Sequence, residues 1–143
     1  MNKTYANTVI NTAMAHGMPL QLAKLMACQS AFETLDWTSN AFHKSLNGFG
    51  YKHVEGAKLQ LSKSVVHSTE SDYYAAYASF EDSIYEICLW IGRRQKETKF
   101  PQDLVSIQTP EQYAHLLKSC GYYGGKEDDY ANGIATYLKL LDQ

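Results

Sequence analysis

Apolar positions recur at helical spacing through most of the chain, and the rhythm breaks once, between residues 51 and 78. Tyr5, Val9, Ile10 and Ala13 share one face of a helix predicted over residues 3–16, which Gly17 stops. Pro19 fits the first turn of a second helix, over 19–35. In it Leu22, Leu25, Met26, Gln29, Phe32 and Glu33 fall near one another at i, i+3, i+4 and i+7 spacing. Thr38 or Ser39 caps a short helix over 38–45, with Phe42 and Leu46 turned inward.

After the break Ser79 caps a long helix, with Glu81 and Asp82 in its first turn. Its core stripe is Phe80, Ile84, Ile87, Cys88 and Ile91, with Trp90 near the edge; Arg93, Arg94 and Lys96 suit the negative end of its dipole. Thr109-Pro110-Glu111 opens another helix, lined by Tyr113, Leu116, Leu117 and Cys120 and ended by Gly121. Tyr122-Tyr123-Gly124-Gly125 is an aromatic turn. Asp128 or Asp129 then caps a last helix carrying Tyr130, Ile134, Tyr137, Leu138 and Leu141.

Inside the break, Lys58-Leu59-Gln60-Leu61 alternates and residues 73–77 are rich in Tyr and Ala. This reads as a small β-hairpin lobe around residues 57–78, whose polar middle holds Glu70 and Asp72. The predicted fold class is therefore mainly α, a helical bundle with one β lobe. A chain of 143 residues fits one domain, 1–143, and buries roughly 68–70% of its unfolded surface without a metal or disulfide staple.

Composition narrows the function classes. The net charge is −2 with no concentrated Lys/Arg face, which argues against nucleic acid. Cys28, Cys88 and Cys120 are widely spaced and form no CxxC, so they read as buried free thiols, not metal ligands. No metal or cofactor motif occurs. No segment matches a membrane span or a signal peptide, so synthesis in the cytoplasm is expected. The eleven tyrosines supply flat rings with hydroxyls, suited to damp cores and to sugar clefts.

One acidic residue stands out. Glu33 emerges near the C-terminal end of a mostly apolar helix, where the helix dipole and apolar neighbours both disfavour a carboxylate. A carboxyl kept protonated near neutral pH is a general acid. Fourteen residues on, Asn47-Gly48-Phe49-Gly50 gives a two-glycine turn followed by Tyr51 and Lys52.

These residues resemble the glucosaminidase family of peptidoglycan hydrolases, family 73 of the glycoside hydrolases, whose domains are lysozyme-like. Its Gln-x-x-x-Glu-Ser/Thr-Gly segment, often followed by aromatic-Thr-Ser, is matched by Gln29 to Thr34 and then Trp37-Thr38-Ser39. Its Asn-x-Phe-Gly-hydrophobic-Lys turn is matched by Asn47 to Lys52, and its Tyr-x-Ser-x-Glu-x-Ser-Ile helix start by Tyr77 to Ile84. Thr109 to Tyr113, Gly121-Tyr122-Tyr123 and Asp129-Tyr130-Ala131 follow its C-terminal pattern. Leu35 stands where the family has glycine, and Gly48 where it has a bulkier apolar residue.

The resemblance implies hydrolysis of the β-1,4 bond after N-acetylglucosamine in a peptidoglycan strand, with no cofactor. Glu33 takes the general acid's place and Tyr130 a cleft tyrosine's. Glu70, with Asp72 as its neighbour, is the candidate second carboxylate; substrate-assisted attack is the alternative. Trp37, Asn47, Phe49, Gly50, Tyr51 and Tyr123 are the candidate substrate contacts. A lytic transglycosylase and a non-catalytic wall-binding or virion structural module are the competing classes. The expected setting is a monomer brought to the wall by a virion or a secretion apparatus.

Overall fold

The computed structural model describes residues 1–67 and 73–143, and for 62–67 the backbone alone. In chain order the described elements are α1 (Lys3–Ala15), α2 (Leu20–Thr34), α3 (Asn40–Ser45), β1 (Gln60–His67), β2 (Tyr73–Tyr77), α4 (Phe80–Lys96), a 3-10 turn (Leu104–Ser106), α5 (Pro110–Ser119) and α6 (Glu127–Leu141). The fold is mainly α with one hairpin lobe, as the periodicity predicts. Strands β1 and β2 pair antiparallel, Lys63 opposite Ala75, with irregular register on both sides of that pair.

Helix α2 is the hub. Every residue from Leu25 to Ala31 is fully buried, so the helix has no solvent face along that stretch. Ala23, Ala27, Ser30 and Ala31 are small, which lets α1 and α6 pack closely against it. The predicted caps form: Ser39, Ser79 and Thr109 each accept an N–H of the first turn, and Thr109 with Gln112 completes a capping box.

One cap differs. Lys126, without a side-chain bond, precedes α6, and Asp128 and Asp129 lie inside its first turn beside Glu127. Three carboxylates at the positive end of the helix dipole do the work expected of one capping aspartate. The three cysteines are free. Burial pushes the Cys28 and Cys88 thiols up to about 12, so both behave as apolar core groups, whereas Cys120 is only half-buried. Among the described residues no helix is long and apolar enough to cross a membrane.

Candidate active site

The buried run of α2 ends by delivering Glu33 into a cleft. Its carboxyl is half-buried, and Tyr130 of α6 donates its Oη to Oε1 over 2.7 Å. On the other side lies Gly50, at φ +63°, where a Cβ would stand 3.0 Å from Oε2. A side chain here would be strained by the left-handed backbone and would press on the acid. Burial raises the Glu33 pKa above its ordinary value, and the Tyr130 hydrogen bond opposes it with a smaller effect.

The turn over Glu33 is built around Asn47. Its Oδ1 accepts from Phe49 N–H (3.1 Å) and Tyr51 N–H (3.2 Å), while Nδ2 donates to the carbonyls of Tyr51 (2.8 Å) and Ala75 (3.1 Å). Ala75 N–H also donates to Tyr51 O over 2.9 Å, so the turn is fastened to β2. Tyr122 donates to the Phe49 carbonyl over 2.8 Å. A Cβ at Gly48 would lie 2.4 Å from the Phe80 ring and 2.8 Å from Ser30 Oγ, so the bulkier family residue has no room here.

Tyr130 is held by aromatic contacts. Tyr123 stacks on it at 3.9 Å and 4°, and Phe32 meets it edge-on at 5.3 Å. Phe32 in turn fills the space over Gly133, where a Cβ would come within 2.3 Å of the ring.

Among the described residues, three depressions are linked by shared lining residues. The first, about 140 Å³, is lined by Glu33, Leu35, Ser39, Asn47, Gly50 and Tyr74 among others. The second, about 240 Å³, shares Gly50 with the first and adds Tyr51, Trp90, Cys120 and Tyr122. The third, about 400 Å³, shares Tyr51 and Val54 with the second and reaches Lys58, Glu86 and Arg93. Tyr51 stands at the junction, its hydroxyl accepting from Arg93 Nη2 over 3.0 Å. Glu86 is buried and receives hydrogen bonds from the Tyr77 hydroxyl and from Gln60 Nε2 (2.9 Å).

The candidates separate on this geometry. Glu33, Tyr130, Gly50 and Tyr51 gather at the cleft. Trp37 and Phe49 do not reach it with their side chains; each is 1% exposed and packed in the core. Trp37 stacks on Tyr5 at 5.5 Å and donates its Nε1 to Ser30 Oγ over 2.9 Å. Large apolar rings beside a strained turn stabilise more by burial than by exposure. Asn47 lines the first depression, but its side chain is committed to the turn. Tyr123 braces Tyr130 and donates to the Ala114 carbonyl over 2.9 Å. Glu70 and Asp72 lie outside the described residues.

Several lining residues are not among the sequence-predicted site residues; Tyr74 and Leu35 are two of them. Tyr74 sits on the face of β2 opposite the buried Ala75 and Tyr77, a placement that strand alternation could have flagged. Leu35 is 68% exposed on the rim, at φ 53°, and Asp36 and Trp37 continue the left-handed turn at φ 58° each. Thr34 Oγ1 holds that turn by accepting from Trp37 N–H over 2.8 Å. Among the described residues no group of three or more His, Cys, Asp or Glu side chains is placed to hold a metal ion.

The half-buried carboxyl at the end of a buried helix faces a trough beside the hairpin lobe, in a chain whose family match is to glycoside hydrolases. Residues 4–143 match the Glucosaminidase family model, described as mannosyl-glycoprotein endo-beta-N-acetylglucosaminidase, and the chain belongs to that family. No curated protein matches it by sequence. Three solved structures share the fold at low identity. A peptidoglycan hydrolase from Sphingomonas sp. A1 superposes with TM-score 0.71 at 20% identity, covering 96% of this chain and 88% of that one. A type VI secretion system effector–immunity complex from Pseudomonas protegens gives 0.69 at 18%, covering 99% and 91%. The catalytic domain of the autolysin Auto from Listeria monocytogenes gives 0.60 at 15%, covering 98% and 81%.

Proposed function

We propose that this glycoside hydrolase is an endo-β-N-acetylglucosaminidase that cleaves the β-1,4 bond after N-acetylglucosamine in peptidoglycan, with Glu33 as general acid. The observation that carries the reading is the Glu33 carboxyl itself: held by Tyr130, its pKa raised by burial, and lining the first of three linked depressions. A linear glycan suits such a trough, and two proteins sharing the fold are a peptidoglycan hydrolase and an autolysin.

Glu33 gives its proton to the glycosidic oxygen as the C1–O bond breaks. Water then adds at C1, and its second proton returns to the Glu33 carboxylate, which restores the acid. A second group that steadies the positive charge at C1 comes either from Glu70 or from the substrate's own N-acetyl oxygen. Comparing Glu33→Gln, Glu70→Gln and Asp72→Asn for release of reducing sugar from purified peptidoglycan tests both roles. Glu33→Gln is expected to abolish release. A loss in Glu70→Gln assigns the second group to that carboxylate; retention in both Glu70→Gln and Asp72→Asn assigns it to the substrate. Activity surviving in Glu33→Gln contradicts the reading.

The fold shared with a secretion-system effector supports delivery through such an apparatus. Transfer of the tagged enzyme to neighbouring cells only when the apparatus is intact is the expected result; transfer without it contradicts that route.

A further inference from the structure

The third depression is lined differently from the one around Glu33. Its volume, about 400 Å³, lies within the range of small-ligand sites. Helix α4 lines it with Glu86, Leu89 and Arg93, which share one face at i, i+3 and i+7. The chain leading into β1 lines it with Val54 and Lys58. Val54 and Leu89 are both exposed, so the depression offers apolar surface to a ligand.

Its charges are unevenly matched. Glu86 is buried, and each of its carboxylate oxygens already accepts a hydrogen bond, Oε1 from Gln60 of β1 and Oε2 from Tyr77 of β2. That carboxylate is committed to tying α4 to both strands of the lobe. The two cations are not so committed. Arg93 donates to a neutral group, the Tyr51 hydroxyl, over 3.0 Å. Among the described residues, neither Arg93 nor Lys58 forms an ion pair with a carboxylate. Two cations against one satisfied carboxylate leave the lining with a net positive charge. Tyr51 takes one N–H of the guanidinium and steadies it, which leaves the other donors of the planar fork for an anion.

An N-acetylglucosamine unit is neutral and gives these cations nothing to pair with. The peptide stem on each muramic acid does, since it combines alanine methyl groups with free carboxylates. Resting on the reading of this chain as a peptidoglycan hydrolase, we propose that the third depression is a subsite for that stem, with a carboxylate on Arg93 and Lys58 and the aliphatic part against Val54 and Leu89. The site is joined to the cleft by shared residues: Tyr51 and Val54 also line the second depression, which shares Gly50 with the depression holding Glu33. Its consequence is specificity for strands that still carry their peptides.

The test compares kcat/KM on two forms of one glycan: strands with their stems, and the same strands after an amidase has removed them. The native enzyme is expected to prefer the first on the order of tenfold, as two partly exposed charge contacts allow. Arg93→Gln and Lys58→Glu should each cut that preference about threefold, through KM. Added salt should cut it in the native enzyme. Lys58→Glu changes an exposed side chain and decides the matter alone if Arg93→Gln disturbs Tyr51. Equal kcat/KM on the two substrates, or variants that lose activity on both alike, overturn the inference. Reducing-sugar release that survives Glu33→Gln would contradict the general-acid reading; a missing preference with Glu33-dependent release intact would contradict only the stem subsite.

Discussion

Two opposing influences meet at the Glu33 carboxyl. Burial favours the neutral acid, the Tyr130 hydroxyl favours the anion, and burial is the larger. Catalysis by the neutral form is therefore expected to fall on the alkaline side, as pH rises through the elevated pKa. Tyr130→Phe removes the opposing group, so the alkaline limb of kcat/KM should move to higher pH while turnover drops more than tenfold. A limb moving downward in the pH–rate profile would contradict this balance. Stability follows the same sign. A carboxyl whose pKa is raised on folding contributes stability below its unfolded value, about 4.3, and loses it as pH rises through the folded value. Glu33→Gln should thus melt above the native enzyme at alkaline pH, and the gap should close in acid.

Leu35 is the other residue where physics and position conflict. An L-residue in the left-handed region is strained by about 1–2 kcal/mol, and this side chain recovers little by burial at 68% exposed. Leu35→Gly should raise the melting temperature by about 2–4 °C, less if glycine's added chain freedom offsets the relief. An apolar side chain kept on the rim at that cost points to a contact with substrate, so the same variant should raise KM on long glycans.

At the level of elements, the site depends on how α6 meets α2. Gly133 sits inside α6, where alanine would add about 1 kcal/mol of helix propensity. A Cβ there would press into the Phe32 ring, and overpacking costs about 1–3 kcal/mol. The clash should win. Gly133→Ala is expected to lower the melting temperature and to reduce kcat by pushing Phe32 against Tyr130. A variant more stable and fully active would show that this contact does not hold the site.

The helices were legible because their buried stripes, capping residues and stop glycines agree with one another, from Ser79 and Thr109 to Gly17 and Gly121. The hairpin was legible from the loss of that rhythm. The side-chain directions around the two turns were not. A motif shows that Trp37 and Phe49 flank the acid but not that both rings point inward, since three successive left-handed residues redirect the chain after α2. Asn47 looked like a sugar contact because nothing local reveals that all four of its hydrogen bonds close within the protein. Gln29 reads as a core position of α2; the phenol that bonds its amide oxygen, Tyr113, comes from far along the chain.

On the scale of the whole molecule, one buried helix carries the acid, α6 brings the tyrosine that steadies it, and the turn from Asn47 to Tyr51 closes over it while tied to the hairpin. The trough crosses all three. The depression holding Glu33 joins the next one through Gly50. The most direct test of the account is to digest purified peptidoglycan with the native enzyme and with Glu33→Gln, reduce the new ends chemically and identify the terminal sugar by mass spectrometry. The account predicts reduced N-acetylglucosamine ends from the native enzyme and none from the variant. New ends carrying N-acetylmuramic acid or its anhydro form, or N-acetylglucosamine ends still released by the variant, would contradict it.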